Sequence, residues 1–285
     1  MKKLPHIIVV AGPTASGKSD FAVELAKKHN GEIISADSRQ VYSGLDIGTG
    51  KITQEEMKGV PHHMLDVTTV GTPFSVAEYA RLATPIIHSL LAQGKTPIIC
   101  GGTGQYIDAL IYTSSFPPVP PNETLRKDLE EKSAEELHRM LSKKDPVRAK
   151  NIDTHNKVRL IRALEIVETL GKVPTQKSAE LLYDTEFYLM DPTREQLRER
   201  IHRRLLSRLD QGMLQECENL LSQGISHDTF EKLGLEYRYM SRYIRGEITY
   251  DTFVTTLTAK ICQYAKRQQT WNKKYEPFAQ KIEVK

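Results

Sequence analysis

Cysteine is scarce in this chain, whose 285 residues include only three, at Cys100, Cys217 and Cys262. They lie far apart and form no C-x-x-C pair, so the sequence excludes a zinc ribbon and a disulfide framework and predicts a reducing compartment. No apolar run approaches the length of a membrane-spanning helix. The short apolar stretch near Met1 lacks a small-residue cleavage site and is interpreted as a core strand rather than a secretion signal. We therefore expect a cytoplasmic protein with no membrane attachment.

A strong excess of either charge is missing as well. The chain has 40 lysines and arginines against 36 aspartates and glutamates, a net charge of +4. This mild basic excess permits a polyanionic partner such as a nucleic acid without requiring one. With 39% hydrophobic residues, the chain can form one large domain or a domain with a sizeable insertion.

The clearest motif is a phosphate-binding loop near the start of the chain. The pattern G-x-x-x-x-G-K-[ST] is matched by Gly12, Pro13, Thr14, Ala15, Ser16, Gly17, Lys18 and Ser19. An apolar run precedes it and a helix-prone segment follows, which is the context that the motif requires. Backbone N–H groups of such a loop bind phosphate oxygens, Lys18 would reach the outermost phosphate, and the Ser19 hydroxyl would ligate Mg²⁺. We expect a ligand with at least two phosphates, bound together with Mg²⁺.

Short apolar runs alternate with helical patterns in the first half, which predicts an α/β fold with a parallel sheet flanked by helices. Strands are predicted at 6–11, 32–36, 63–67, 96–100 and 186–191. Four prolines within 117–121 exclude a helix or a central strand there and indicate a boundary. Beyond it the pattern is helical, with helices predicted at 123–133, 134–142, 157–170, 194–209, 213–223 and 250–274. We predict a core formed by 1–116 and 186–285, with an all-helical insertion domain at 117–185.

Two other segments follow predicted strands, at the edge of the sheet where parallel α/β folds bind ligands. Asp37 comes after the second strand and could act as a general base or hold a metal through water. It could equally cap a helix, since Ser38 lies beside it. The glycine cluster around Thr103 could line the same crevice or be only a tight turn. Spacing alone leaves both alternatives open.

Several blocks, taken in order, resemble the tRNA dimethylallyltransferase family, also called the isopentenyl transferases. The blocks are GPTASGKS, ADSRQVYSGLDIGTGK, PHHMLD, GGTGQYIDAL and YAKRQQTW, which extend as far as Trp271. The resemblance implies a P-loop NTPase-like fold and transfer of a dimethylallyl group from dimethylallyl diphosphate to N6 of adenosine 37 in tRNA. Because no zinc-finger extension follows Trp271, we expect the bacterial form.

The resemblance also implies roles for individual residues. Asp37 would be the catalytic base, Thr103 would touch the substrate near the reacting atoms, and Arg204 would help to bind the diphosphate. The implied tRNA contacts are Asp37, Ser38, Arg39, Gln40, Thr103, Arg126, Val158, Arg159, Leu160, Ile161 and Arg162. A solvated helix face is the alternative for each of these arginines. No role follows for the block KLGLEYR at 232–238. Trp271 and Tyr237 could stack on bases, but at helical spacing they are expected to fill a core.

Two other functions stay open at this point. An adenylate isopentenyltransferase would use free AMP, ADP or ATP as acceptor, but it would need no helical platform carrying arginines. A small-molecule kinase would use the same loop for ATP, and only the family resemblance separates it from a prenyltransferase. We expect a monomer, since no segment has the pattern of an exposed oligomerisation seam.

Overall fold

A computed structural model describes residues 4–113, 117, 119–174 and 180–284. The chain divides into two compact units, one formed by Thr113–Glu180 and the other by the residues on either side of that segment. The sequence placed the limits of the helical insertion a few residues further along, at 117 and 185. Residues 116 and 118 of the proline-rich boundary lie outside the described residues.

Eight strands and thirteen α-helices are present in the described residues. The strands are β1 (His6–Ala11), β2 (Gly31–Ser35), β3 (Tyr42–Ser43), β4 (His62–His63), β5 (Thr68–Thr69), β6 (Thr96–Gly101), β7 (Asp184–Met190) and β8 (Ala279–Ile282). The helices are α1 (Lys18–Lys28), α2 (Gln54–Met57), α3 (Val76–Ala92), α4 (Gly104–Ile111), α5 (Glu123–Glu130), α6 (Ala134–Lys144), α7 (Pro146–Lys150), α8 (Lys157–Leu170), α9 (Arg194–Asp210), α10 (Met213–Ser222), α11 (His227–Leu233), α12 (Leu235–Ile244) and α13 (Tyr250–Asn272). A 3₁₀ turn, Lys273–Tyr275, follows α13. No helix among the described residues combines the length and the apolar character needed to cross a membrane.

Six strands form one parallel sheet in the order β4-β2-β6-β1-β7-β8. Ala11 at the end of β1 pairs with Gly101 at the end of β6, and Ser35 at the end of β2 pairs with Cys100. The loops that follow these three strands therefore leave the same edge side by side. The predicted α/β fold, a parallel sheet flanked by helices, is confirmed.

Alternation along β1 shows why both faces of this sheet are covered. Ile7 and Val9 belong to one buried cluster, while Ile8 and Val10 belong to another on the opposite face, and all four are 0% exposed. A parallel strand buried on both faces is a continuous apolar run, as this sequence has. Each such side chain contributes about 1.5–3 kcal/mol through burial, so the central strands hold the site's loops on a rigid base.

The unit formed by 113–180 contains α5–α8 around its own apolar core. Its buried residues include Leu129, Leu137, Leu141, Leu160, Ile161 and Leu164. Local caps set its helix boundaries: Ser133 and Glu136 form a reciprocal capping box at the start of α6, and Gly171 ends α8 with φ 77. These short-range signals explain why the sequence predicted three of its four helices.

Several elements differ from the prediction. The strand expected at 63–67 stops after His63, because Met64 (φ 65) and Asp66 (φ 55) have left-handed backbone that no strand can contain. The final residues, for which no element was predicted, supply the edge strand β8 beside β7. At the start of α3 only half of a capping box is formed, because Ser75 accepts from the Glu78 N–H at 3.2 Å while the Glu78 carboxylate pairs with Arg81.

Candidate active site

The phosphate loop leaves the end of β1 and leads directly into α1, so the structure has the strand, turn and helix that the motif requires. Ala15 (φ 63) and Gly17 (φ 82) have left-handed backbone, which bends the loop before the helix begins. Gly12 has no room for a side chain, since a Cβ there would lie 2.8 Å from the Cβ of Met190. The helix N-terminus and the backbone N–H groups of such a loop together attract an anion.

Two side chains of the loop are poised for a charged ligand. The Lys18 ammonium donates to the Pro13 carbonyl oxygen at 3.3 Å, and burial lowers the pKa of Lys18. The Ser16 side chain is 0% exposed, and its hydroxyl has no hydrogen-bond partner among the described residues. A buried hydroxyl without a partner is costly, and a phosphate oxygen would satisfy it.

The basic face of α9 lines a cavity of about 670 Å³ together with the phosphate loop and residues 46, 47 and 50–53. Arg204 donates a hydrogen bond to the Thr14 hydroxyl. Burial first, and then the neighbouring Arg208, lower the pKa of Arg204 to about 9. Burial also lowers the pKa of Arg208. Two desolvated guanidinium groups beside a phosphate loop gain from an anionic ligand, which offsets their mutual repulsion.

Asp37 lies in a smaller cavity of about 60 Å³ that Lys18, Ser19 and Arg204 also line. Its Oδ1 accepts hydrogen bonds from the N–H groups of Arg39, at 2.8 Å, and Gln40, at 3.4 Å. The carboxylate therefore caps a turn after β2 rather than a helix. Both described bonds end on Oδ1, which leaves Oδ2 for a ligand in the cavity. Asp37 is therefore not the helix cap that the sequence allowed, and its carboxylate lies in the crevice.

Thr103 lies beside Ser38, another residue of the predicted site. Its Oγ1 accepts from the Ser38 N–H at 3.0 Å and lies 3.4 Å from the Ser38 hydroxyl oxygen. The Thr103 N–H donates to the Ala36 carbonyl oxygen at 3.0 Å, which joins the segments that follow β2 and β6. The glycine cluster thus belongs to the crevice.

Gln40 and Arg39 complete the predicted segment. The Gln40 side chain lines the small cavity, where its Oε1 accepts from the Ser35 hydroxyl at 3.2 Å and its Nε2 donates to the Gly50 carbonyl oxygen at 3.0 Å. The Arg39 side chain passes Gly234, where a Cβ would lie 3.6 Å from its Nε. The two hydrogen bonds of the Gln40 side chain hold its amide in one orientation.

Gln268 on α13 is a site residue for which the sequence predicted no role. Its Oε1 accepts from the Thr14 N–H at 2.8 Å, and its Nε2 donates to the Gly102 carbonyl oxygen at 2.9 Å. The side chain is only 6% exposed and ties the phosphate loop to the glycine cluster. The signal was present in the block YAKRQQTW, whose position in the sequence did not indicate which side chain faces the site.

Trp271 differs from its prediction, and Arg208 and Glu236 are residues for which the sequence predicted no role. Trp271 is 36% exposed and covers Gly104, so the expectation that it fills a core is wrong, whereas Tyr237 is buried at 1% as expected. Arg208 lies one helical turn after Arg204, a spacing that could have identified it. Glu236 lies in the block to which no role was assigned. Burial raises the pKa of its carboxyl group, and this effect outweighs the opposing effect of Arg208 and Arg204.

In the helical unit the predicted tRNA contacts divide into three kinds. Val158 is 78% exposed and Arg159 is exposed. Leu160 and Ile161 are 0% and 7% exposed, so their side chains are withdrawn from the predicted RNA-contacting set because they belong to the core. Arg126 and Arg162 keep about a third of their side chains exposed, at 32% and 36%, while both bind the buried carboxylate of Glu165.

The donor atoms fit Mg²⁺ only in company with a phosphate. Ser19 lines both cavities, and Asp37 shares the smaller one with it, so the available protein ligands are oxygens, which Mg²⁺ prefers. No group of three or more His, Cys, Asp or Glu side chains in the described part of the chain could hold a metal by itself. Mg²⁺ typically takes one or two protein oxygens and completes its shell with phosphate oxygens and water.

Fold and site together define an α/β protein of the P-loop class, with a basic cavity suited to a diphosphate. The family model described as IPP transferase matches residues 40–275. The chain belongs to this family.

Individual relatives agree with that assignment. The chain is 41% identical over 275 residues to a tRNA dimethylallyltransferase of Anoxybacillus flavithermus, covering 95% of this chain and 88% of that protein. It is 42% identical over 269 residues to tRNA dimethylallyltransferase 2 of Bacteroides fragilis, covering 93% and 87%. The tRNA isopentenylpyrophosphate transferase of Bacillus halodurans superimposes with a TM-score of 0.72 at 36% identity, covering 99% of this chain and 90% of that one. A eukaryotic dimethylallyltransferase acting on tRNA gives a TM-score of 0.86 at 25% identity, covering 98% and 74%.

Proposed function

We infer that the chain is a tRNA dimethylallyltransferase, which transfers the dimethylallyl group of dimethylallyl diphosphate to N6 of adenosine 37 in the anticodon loop. Diphosphate is the second product. The observation that carries this assignment is the juxtaposition of Asp37 with Lys18, Ser19 and Arg204 in one cavity. A carboxylate that can accept a proton and a cationic site for a leaving diphosphate are the two groups that prenyl transfer to an amine needs.

The phosphate loop binds the leaving group. Its backbone N–H groups, the Lys18 ammonium and the Arg204 guanidinium surround the diphosphate and stabilise the negative charge that grows as the C–O bond breaks. We propose that Ser19 and the diphosphate oxygens hold Mg²⁺, which when bound neutralises part of that charge. The buried Ser16 hydroxyl would gain its missing partner from the same diphosphate.

Asp37 supplies the base. The lone pair of the adenine amine is delocalised into the ring, so the amine attacks carbon effectively only as its proton leaves. As the C–N bond forms and the C–O bond breaks, Oδ2 of Asp37 accepts that proton while Oδ1 stays bound to the turn. Such a base contributes about 10²–10⁴ in rate.

The target adenosine has to leave its stack to reach this cavity, which typically costs a few kcal/mol. We propose that Ser38, Arg39, Gln40 and Thr103 contact the extruded nucleotide. Exposed residues of the helical unit, foremost Val158 and Arg159, would contact the rest of the anticodon stem-loop. Backbone contacts of this kind would offset the cost of extrusion.

The proposal includes a monomer in the cytoplasm. The cysteines support the location. Cys100 and Cys217 are buried, Cys262 is half-buried, and all three are free thiols. Free thiols are typical of a reducing compartment.

The test is incubation of the full chain with dimethylallyl diphosphate, Mg²⁺ and an unmodified anticodon stem-loop, followed by mass analysis of the nucleosides. We expect N6-isopentenyladenosine from the stem-loop and none from a control stem-loop with guanosine at position 37. Prenylated AMP without prenylated RNA would make the chain an adenylate isopentenyltransferase. Phosphate transfer from ATP to a small molecule would make it a kinase.

A further inference from the structure

Glu216 on α10 closes the loop formed by residues 45–51. Its Oε2 accepts from the N–H groups of Asp46, at 2.9 Å, and Ile47, at 2.7 Å, and its Oε1 accepts from the Gly48 N–H at 3.0 Å. Three successive N–H groups that converge in this way form a concave anion site. Here a carboxylate more than 160 residues away in sequence occupies that site.

Tyr237 fixes the same carboxylate from the other side. Its ring is 1% exposed, and its hydroxyl donates to Oε1 of Glu216 at 2.6 Å. That hydroxyl oxygen lies only 2.6 Å from where a Cβ on Gly48 would stand, so the contact requires a glycine in the loop. Burial and the Glu216 charge raise the pKa of Tyr237, so the hydroxyl keeps its proton and stays a donor.

One turn connects this anchor to the site. The Gly50 N–H donates to the Ile47 carbonyl oxygen at 3.0 Å, and the Gly50 carbonyl oxygen accepts from Nε2 of Gln40 at 3.0 Å. Gly50 has φ 61, and the Arg208 guanidinium occupies the place of its missing side chain. A shift of the turn would therefore move the amide of Gln40 and the packing of Arg208 together.

The geometry points to Glu216 as a positioning residue for prenyl transfer: it fixes loop 45–51 and, through Gly50, the side-chain amide of Gln40 beside Asp37. This inference rests on the proposed function. The effect originates on α10, whose Glu216 binds Asp46 and Ile47 in the lining of the larger cavity and reaches Gln40 through Gly50. Misplacement of a contact group by about 1 Å can cost about 10²-fold in rate, so the anchor matters for turnover.

The central experiment is Glu216→Gln, which keeps the shape but turns an amide N–H₂ toward backbone N–H donors. We expect kcat/KM for the anticodon stem-loop to fall about 10- to 100-fold, by the same argument from misplacement. Affinity for diphosphate should fall less than kcat/KM does, since the phosphate loop and Arg204 are not altered, whereas Arg208 packs against the displaced turn. The control is Glu218→Gln, on the same helix with an exposed side chain, which should behave as wild type. Tyr237→Phe, which removes a single donor, should lower the same kinetic parameter by less.

A double-mutant cycle separates positioning from general damage. If Glu216 acts through Gln40, the variant Glu216→Gln/Gln40→Ala should be no slower than Gln40→Ala alone. Additive losses, or an unchanged kcat/KM in Glu216→Gln, would overturn the inference. Should Glu216→Gln not fold, the same cycle with Tyr237→Phe decides the question.

Hydrogen exchange gives a readout that does not need catalysis. Amides in loop 45–51 should lose protection in Glu216→Gln and keep it in Glu218→Gln. Unchanged protection in Glu216→Gln would refute the anchor. If the loop depends on Glu216 but the wild-type chain modifies no tRNA, the proposed function fails while the anchor stands.

Discussion

Replacing Glu165 with glutamine should destabilise the helical unit formed by 113–180. The Glu165 side chain is 0% exposed, and its oxygens accept from the Asn122 N–H at 2.8 Å, from Arg126 at 2.8 and 3.0 Å, and from Arg162 at 3.1 Å. Glutamine would keep one acceptor oxygen but would leave two guanidinium groups without their shared negative charge. The same change would place an N–H₂ group against donors.

The expected size follows from the burial of the partners. Removing one member of a buried ion pair typically costs about 3–5 kcal/mol. Because Arg126 and Arg162 are 32% and 36% exposed, solvent screens part of the loss, and we expect the lower end, about 3 kcal/mol. That is a large part of the about 5–15 kcal/mol that stabilises a typical domain.

Urea unfolding, followed by hydrogen exchange in α5–α8, measures the effect. The matched control is Glu168→Gln on the same helix, where an ion pair with Lys144 at 2.7 Å is 40% and 43% exposed. An exposed pair of this kind contributes about 0–1 kcal/mol. If Glu165→Gln lowered the free energy of unfolding no more than Glu168→Gln does, the buried network would not stabilise the unit.

The pH dependence of stability tests whether the charged form of Glu165 stabilises the helical unit. Burial alone would raise the pKa of Glu165, but Arg126, the Asn122 N–H and Arg162 outweigh it and lower the pKa below the ordinary 4.5. A carboxylate with a lowered folded-state pKa stabilises the fold above its ordinary pKa and loses that contribution as the pH falls through the folded-state value. The wild-type unit should therefore lose stability below about pH 4.5, and Glu165→Gln should lack this part of the loss.

Three further changes test the active site and its RNA contacts. Asp37→Asn should slow prenyl transfer by about 10²–10⁴ and leave diphosphate affinity in calorimetry unchanged, and near-normal turnover would remove Asp37 as the base. Gln268→Leu should weaken diphosphate binding about tenfold, because the side chain loses its hydrogen bonds to Thr14 and Gly102, each worth about 0.5–1.5 kcal/mol. Gln269→Leu serves as the control. Stem-loop affinity should fall steeply with salt, with a shallower slope in Arg159→Ala; a flat response of the wild type would count against RNA binding.

The parts of the fold that follow from local chemistry were predictable from the sequence. β1 and α8 begin and end where the sequence placed them, since a doubly buried strand is a continuous apolar run and a terminal glycine stops a helix. The crevice position of Asp37 followed from the same logic, because parallel strands bring their carboxyl ends to one edge.

Elements that depend on distant partners were not predictable. β8 is a strand only because β7 lies open beside it, with Phe187 paired to Ala279. The backbone of Met64 and Asp66 is left-handed where the apolar pattern favoured a strand, and the Asp66 N–H donates to the Gln40 carbonyl oxygen at 3.2 Å. A contact between segments this far apart produces no periodic pattern of apolar residues in either segment, so the sequence does not reveal it.

The glycines show most clearly what a pattern omits. A glycine cluster suggests a tight turn, yet φ is not positive at Gly101, Gly102 or Gly104. Side chains at these positions would instead collide with the Ala36 carbonyl, with Gln268 and with Trp271. The same holds at Gly48, against Tyr237, and in part at Gly50, against Arg208. Apart from Gly101, these glycines therefore stand opposite large side chains of the C-terminal helices. Because α9, α12 and α13 pack closely against the loops of the first half at these glycines, and because Arg204 and Gln268 also bind Thr14, neither half forms the site without the other.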